Sequence, residues 1–227
     1  MLLANVYVIH TYSLDNSRNL RLGSVLILLI YFLIYKGYKK KSLLIAFTLF
    51  VLSDFFILNY EITEYNRLTF ITTILGYIFI SIHIFPKIKF IKTNNWLFIV
   101  FTGILIANTF MLKEIIGMIE VKLIDSIHEL LFYVYGLTMI VMLLFVTNYN
   151  FRYHSLQSTI SMYFVLGFVL SDVFAILAYY LGFEIFYFPD RIFYLLGISM
   201  LVWYSISDFG KEIVFEDEFF IEENVKV

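Results

Sequence analysis

The stretch KSLLIAFTLFVLSDFFILNY, residues 41–60, is apolar over most of its length yet carries one carboxylate, Asp54. About 20 such residues are enough to cross about 30 Å of hydrocarbon. An aspartate inside a span costs about 2.5–3.5 kcal/mol on insertion scales, so it points to function by default. Its pentapeptide Phe50-Val51-Leu52-Ser53-Asp54 returns as Phe168-Val169-Leu170-Ser171-Asp172. A phenylalanine follows each copy at the next residue but one, Phe56 and Phe174. The next apolar stretch opens with an arginine in both halves (Arg67, Arg191), and Ser81-Ile82 and Ser205-Ile206 lie at one offset from it.

The rest of the chain suits that setting. Its 227 residues are 61% hydrophobic, 20% aromatic and only 15% charged, with a mean hydropathy of +0.87. A soluble domain is nearer half apolar and a quarter charged, and one of this size has no interior for so much Phe, Tyr, Ile and Leu. The reading is an all-α membrane protein. Seven spans are expected near 20–36, 43–60, 67–85, 95–112, 130–147, 159–181 and 188–208, with Met1–Thr11 as a short apolar segment, a truncated eighth. Residues 1–208 form one bundle domain and 209–227 an acidic tail. Lys113–Glu129 alternates apolar and charged residues and is expected along the outer interface.

Loop charges set the orientation. Lys36, Lys39, Lys40 and Lys41, then Lys87, Lys89 and Lys92, then Arg152 and His154, alternate with loops bearing Glu61 and Glu64, then Glu114, Glu120 and Asp125, then Glu184 and Asp190. Lysine-bearing loops and the C-terminus therefore belong in the cytoplasm. The bias toward Ile, Lys, Asn, Phe and Tyr points to an AT-rich bacterial genome, hence an inner membrane. Met1–His10 is short and lacks a basic start, so it does not read as a cleaved signal. A net charge of -2 without a basic block gives no nucleic-acid signal. With no cysteine there are no thiolate sites, and the four histidines lack metal-ligand spacing, so no metal or other cofactor is expected. Oligomeric state is not legible.

Spans 2 and 6 run in the same direction, so spans 1–3 and 5–7 read as parallel repeats around a fourth. Asp54 lies twelve residues beyond Ser42 and Asp172 fourteen beyond Ser158, roughly 18 and 21 Å from the cytoplasmic face at about 1.5 Å per residue. Packed about an axis along the membrane normal, the two carboxyls would face one cavity. Such a pair suits general acid/base hydrolysis and proton-coupled transport alike.

Leu52-Ser53-Asp54, Ser81-Ile82-His83, Val134-Tyr135-Gly136-Leu137 with Met142, Leu170-Ser171-Asp172 and Tyr194-Leu195-Leu196, in that order, resemble the YhhN family of multispan membrane proteins, whose members include lysoplasmalogenases. The resemblance covers roughly residues 20–207. It implies hydrolysis of the vinyl ether bond of a lysoplasmalogen-type lysophospholipid, a membrane lipid substrate, with no cofactor. The catalytic pair is then Asp54 and Asp172, and the substrate-binding residues are Ser53, Ser171, Tyr77, His83, Tyr135 and Tyr194. This chain departs from the family at Ser53 (usually Gly), at Arg21-Leu22 (usually Lys-Pro) and at Ile198 (usually Gln). A three-one-three arrangement also describes small sugar transporters, and an inactive scaffold is the third alternative.

Overall fold

A computed structural model describes residues 1–88, 95–119 and 125–207. Their regular structure is all helical: α1 (Leu2–Thr11), α2 (Leu14–Ile34), α3 (Lys41–Ile57), α4 (Thr63–Ile84), α5 (Asn95–Ile119), α6 (Ser126–Tyr153), α7 (Leu156–Tyr179) and α8 (Tyr187–Ile206). The expected acidic tail, 209–227, lies outside the described residues.

Local sequence explains the boundaries. Ser155 caps α7 through a reciprocal pair of hydrogen bonds with Ser158, and Asp125 caps α6 by accepting from the His128 N–H at 2.9 Å. Pro189 sits in the first turn of α8, where a missing N–H costs nothing. Lys36 takes the left-handed conformation at φ 61° to turn α2 into α3.

Among the described residues five helices are long and apolar enough to cross a membrane: Leu14–Ile34, Thr63–Lys87, Ser126–Tyr153, Leu156–Tyr179 and Glu184–Ile206. Their outer faces carry large apolar side chains such as Ile30, Leu75, Val141 and Tyr163, surface that only lipid solvates without penalty. By length and composition the chain is a multi-pass membrane protein.

Six helices close a ring: α2 packs on α3, α3 on α4, α4 on α6, α6 on α7, α7 on α8, and α8 back on α2. Helix α1 lies outside, against α2 and α8, and α5 lies against α6. Phe32, Phe47, Phe50, Tyr77, Phe164 and Phe168 belong to the buried core of the ring. The helix ends segregate. At one end Lys40 donates to the Tyr204 carbonyl at 2.5 Å and Lys87 to the Tyr149 hydroxyl at 2.7 Å. At the other, Arg18 pairs with Glu61, Arg67 with Asp125, and the Tyr60 and Tyr180 hydroxyls meet at 3.1 Å.

Three sequence expectations need correction. The first span starts at Leu14, not near residue 20, so Arg18 also lies within the helix and Arg21 is not at its opening. Asp190 is not a loop charge but a buried residue in the first turn of α8. Lys113–Glu129 is not one interfacial helix: Lys113 to Ile119 continue α5, and α6 starts at Ser126.

Helices α7 and α8 approach backbone to backbone at Gly167 and Gly197. A Cβ on Gly167 would stand 2.9 Å from the Gly197 Cα and 3.0 Å from the Phe193 carbonyl oxygen. Both neighbours are backbone, so only a shift of the helices makes room. Gly167→Val is expected to cost at least about 1–3 kcal/mol, measurable as a lower thermal midpoint in detergent. A milder effect is expected at Glu61, which the bidentate grip of Arg18 (2.9 and 2.6 Å) holds below the usual carboxylate range. A depressed carboxyl stabilises above its unfolded value, about 4.3, and that contribution fades as pH falls through the folded value. Acid unfolding of Glu61→Gln should lack this component. The Glu61 side chain is 62% exposed, so the difference is small.

Candidate functional site

The ring encloses a cavity of about 150 Å³ that extends from Tyr77 and Tyr135 in mid-helix to Leu14, Tyr179 and Tyr187 at the ends of α2, α7 and α8. Its walls are rich in aromatic rings, and they carry two carboxyls, Asp172 and Asp190, and three guanidiniums, Arg18, Arg21 and Arg191.

Asp172 is presented by α7 and is partly buried. Tyr77 of α4 donates its hydroxyl to Asp172 Oδ2. Tyr135 of α6 interacts with the same carboxyl and stacks on Tyr77 with ring centroids 5.9 Å apart. No arginine or lysine pairs with Asp172 among the described residues. Ser171, one residue earlier, donates at 2.5 Å to Asp190 Oδ1. Arg21 approaches the other Asp190 oxygen at 3.7 Å.

Asp54 sits one layer back. Its side chain is 0% exposed and does not line the cavity. Arg21 donates to Oδ1 at 2.7 Å and the Tyr194 hydroxyl to Oδ2 at 2.7 Å, and the Arg21 guanidinium lies 3.7 Å over the Tyr194 ring. Arg21 and Tyr194 both face the cavity, so Asp54 holds part of its wall. Ser53 lines the cavity and shares a 2.8 Å hydrogen bond with Thr73.

The expected site residues therefore divide. Asp172, Ser53, Ser171, Tyr77, Tyr135 and Tyr194 come together on one cavity, with Asp54 immediately behind it. His83 does not join them. It lies at the lysine-bearing end, its ring nitrogens 3.3 Å from Ser42 Oγ and 3.2 Å from the Tyr204 hydroxyl. Sequence reasoning missed Arg21, Asp190 and Arg191 as site residues. For Arg191 a signal existed, since an arginine inside an apolar stretch is expensive unless it faces an interior. Asp190 reads with Glu184 as an acidic loop charge, from the alternation of sign along the chain.

Chemically, this is a carboxyl with two phenols for neighbours and no salt bridge among the described residues, in a cavity that guanidiniums and aromatic rings line together. Such a group can deliver or take a proton where little water competes. Among the described residues no cluster of three or more histidine and carboxylate side chains converges to hold a metal. The chain matches no known protein family, no curated protein and no solved structure. Fold and site define it as a multi-pass helical membrane protein with an ionisable internal cavity.

Proposed function

We propose that this protein is a membrane-embedded hydrolase of the YhhN type, which cleaves the vinyl ether bond of lysoplasmalogen-type lysophospholipids by acid/base catalysis. The observation that carries this reading is Asp172, a cavity-facing carboxyl that accepts from Tyr77 and has no cation partner among the described residues. In the reaction, protonated Asp172 gives its proton to the vinyl carbon remote from the ether oxygen, and an oxocarbenium ion forms. Water attacks the ion and loses a proton to a carboxylate, and the hemiacetal collapses to a fatty aldehyde and a glycerophospho-alcohol. Asp54 is the ionised member of the pair and acts through Arg21 and Tyr194, which it holds against the cavity. Asp190 supplies a second carboxylate on the cavity wall itself. A cavity near 150 Å³ is on the order of one that admits benzene. It therefore suits the reacting bond and its polar neighbours, with the chain outside.

The membrane topology belongs to the same reading: seven spans, α2 to α8, with the lysine-bearing end and the C-terminus in the cytoplasm of a bacterial inner membrane. Helix α3, with 17 residues, lies at the short end of the spanning range of about 17–25, and α5 has 25. The parallel repeat finds support in the ring, where α2–α3–α4 and α6–α7–α8 follow in the same order. Each aspartate accepts from a tyrosine of the other half, Tyr194 of α8 on Asp54 and Tyr77 of α4 on Asp172, and Asp172 also meets Tyr135 of its own half.

Purified protein in lipid nanodiscs, given lysoplasmalogen, is expected to release fatty aldehyde and glycerophosphoethanolamine or glycerophosphocholine. Solute flux in proteoliposomes without bond cleavage would replace this reading with that of a small transporter. Neither cleavage nor flux would leave a scaffold.

A further inference from the structure

The three arginines on the cavity are unequally provided for. Glu61 clasps Arg18, and Asp54 clasps Arg21. Arg191 has no ion pair among the described residues, although it is only 4% exposed. The carboxylate next to it in the chain, Asp190, is engaged by Ser171 at 2.5 Å and approached by Arg21 at 3.7 Å instead. Arg191 Nη1 donates to two neutral acceptors, Asn5 Oδ1 at 3.0 Å and the Ser17 carbonyl at 2.7 Å. Its Nε is buried without a hydrogen-bond partner. Arg67 also leaves Nε unpartnered, but it is paired with Asp125 and is 29% exposed.

A desolvated guanidinium with no carboxylate at ion-pair distance and an incomplete set of acceptors is costly to keep. The cost falls when a ligand brings anionic acceptors to it, and the fork of donors on arginine matches the oxygens of a phosphate group. The geometry around Arg191 is also fixed from outside the ring. Asn5 of α1 donates to Ser24 Oγ at 2.9 Å and to the Met1 carbonyl at 3.1 Å. Its amide oxygen is thereby directed at Arg191. An amide oxygen orients the guanidinium without forming an ion pair with it.

We propose that Arg191 is the seat of a phosphate oxyanion in the cavity, and that the short helix α1 belongs to this seat through Asn5, a positioning residue. The seat deepens the hydrolase reading, on which it rests only for the expectation that the phosphate arrives on a lysophospholipid. Binding alone tests it, with a lipid that cannot be cleaved. Full-length protein in nanodiscs is titrated with a labelled saturated 1-alkyl lysophosphatidylethanolamine, which lacks the vinyl ether. The competitors are the chain-matched 1-alkylglycerol, glycerol 3-phosphate and inorganic phosphate.

The lysophospholipid is expected to bind at least about tenfold more tightly than the alkylglycerol, the ratio that one charge-assisted contact gives. Competition by inorganic phosphate at similar concentration would identify a free anion as the natural occupant, and its failure to compete would identify a lipid headgroup. Arg191→Gln should erase the preference for phosphate. So should Asn5→Asp, which supplies the missing carboxylate internally. Asn5→Asp should also keep or raise the thermal midpoint, a combination that a purely structural role for Asn5 does not produce. Alkylglycerol binding as tightly as the lysophospholipid, or a phosphate preference intact in Asn5→Asp, would overturn the proposal. Absent cleavage of lysoplasmalogen, with this preference present, would sink the hydrolase reading and leave the seat standing.

Discussion

Asp172→Asn is expected to lower lysoplasmalogen turnover about a hundred- to ten-thousand-fold, the range a general acid contributes, while the protein still inserts and elutes as the parent does. Asparagine has nearly the shape of aspartate and can accept from Tyr77, so the contact between α7 and α4 survives. What it lacks is a proton to give to carbon. The loss should therefore fall on kcat, with KM little changed, because the substrate is bound by the cavity walls and not by the missing proton. Tyr77→Phe makes the complementary case. It removes the donor to Asp172 Oδ2 and leaves the carboxyl in place, so a smaller fall in kcat is expected. Aldehyde release in nanodiscs, with the thermal midpoint as a control for folding, measures both. Undiminished turnover in Asp172→Asn would remove Asp172 from the chemistry.

The membrane fold was legible because it depends on bulk properties: long apolar stretches, their spacing, and the alternation of loop charge. The segregation of Lys40 and Lys87 from Glu61 and Asp125 at opposite ends of the bundle repeats what the loop charges say. Boundaries were less legible. Arg18 reads as a residue ahead of the first span and Arg21 as its opening, yet both are well inside α2, where Glu61 and Asp54 meet them. Pairing across helices is a tertiary fact, and hydropathy along one helix carries no trace of it. The repeated pentapeptide drew attention to Asp54 and Asp172 together and suggested equivalent roles. Their surroundings differ because residues outside the repeat decide them: Arg21 and Tyr194 take both oxygens of Asp54, whereas Asp172 meets tyrosines and faces the cavity. His83 shows the opposite error. Its place beside Ser81-Ile82 suggested a site residue, but it closes α4 at the far end, beside Tyr204.

Breaking the Arg21–Asp54 pair should produce the largest loss of stability. The pair is 2.7 Å long, with side-chain exposures of 13% and 0%, so either partner left alone is a desolvated charge. Removing one member of such a pair costs about 3–5 kcal/mol, whereas replacing both with well-packed apolar residues is often neutral or better. Arg21→Met and Asp54→Leu are therefore each expected to lower the midpoint of reversible detergent-induced unfolding strongly, and the double variant to recover most of the loss. That non-additivity is the signature of a pair and not of two independent sites. Recovery should not extend to activity. In the double variant Tyr194 loses both the carboxylate that accepts from its hydroxyl and the guanidinium 3.7 Å over its ring. The cavity wall then no longer holds its shape against the substrate. A double variant that is stable but slow would separate the cost of burying these charges from their use. Restored turnover would mean that Asp54 and Arg21 serve the fold alone.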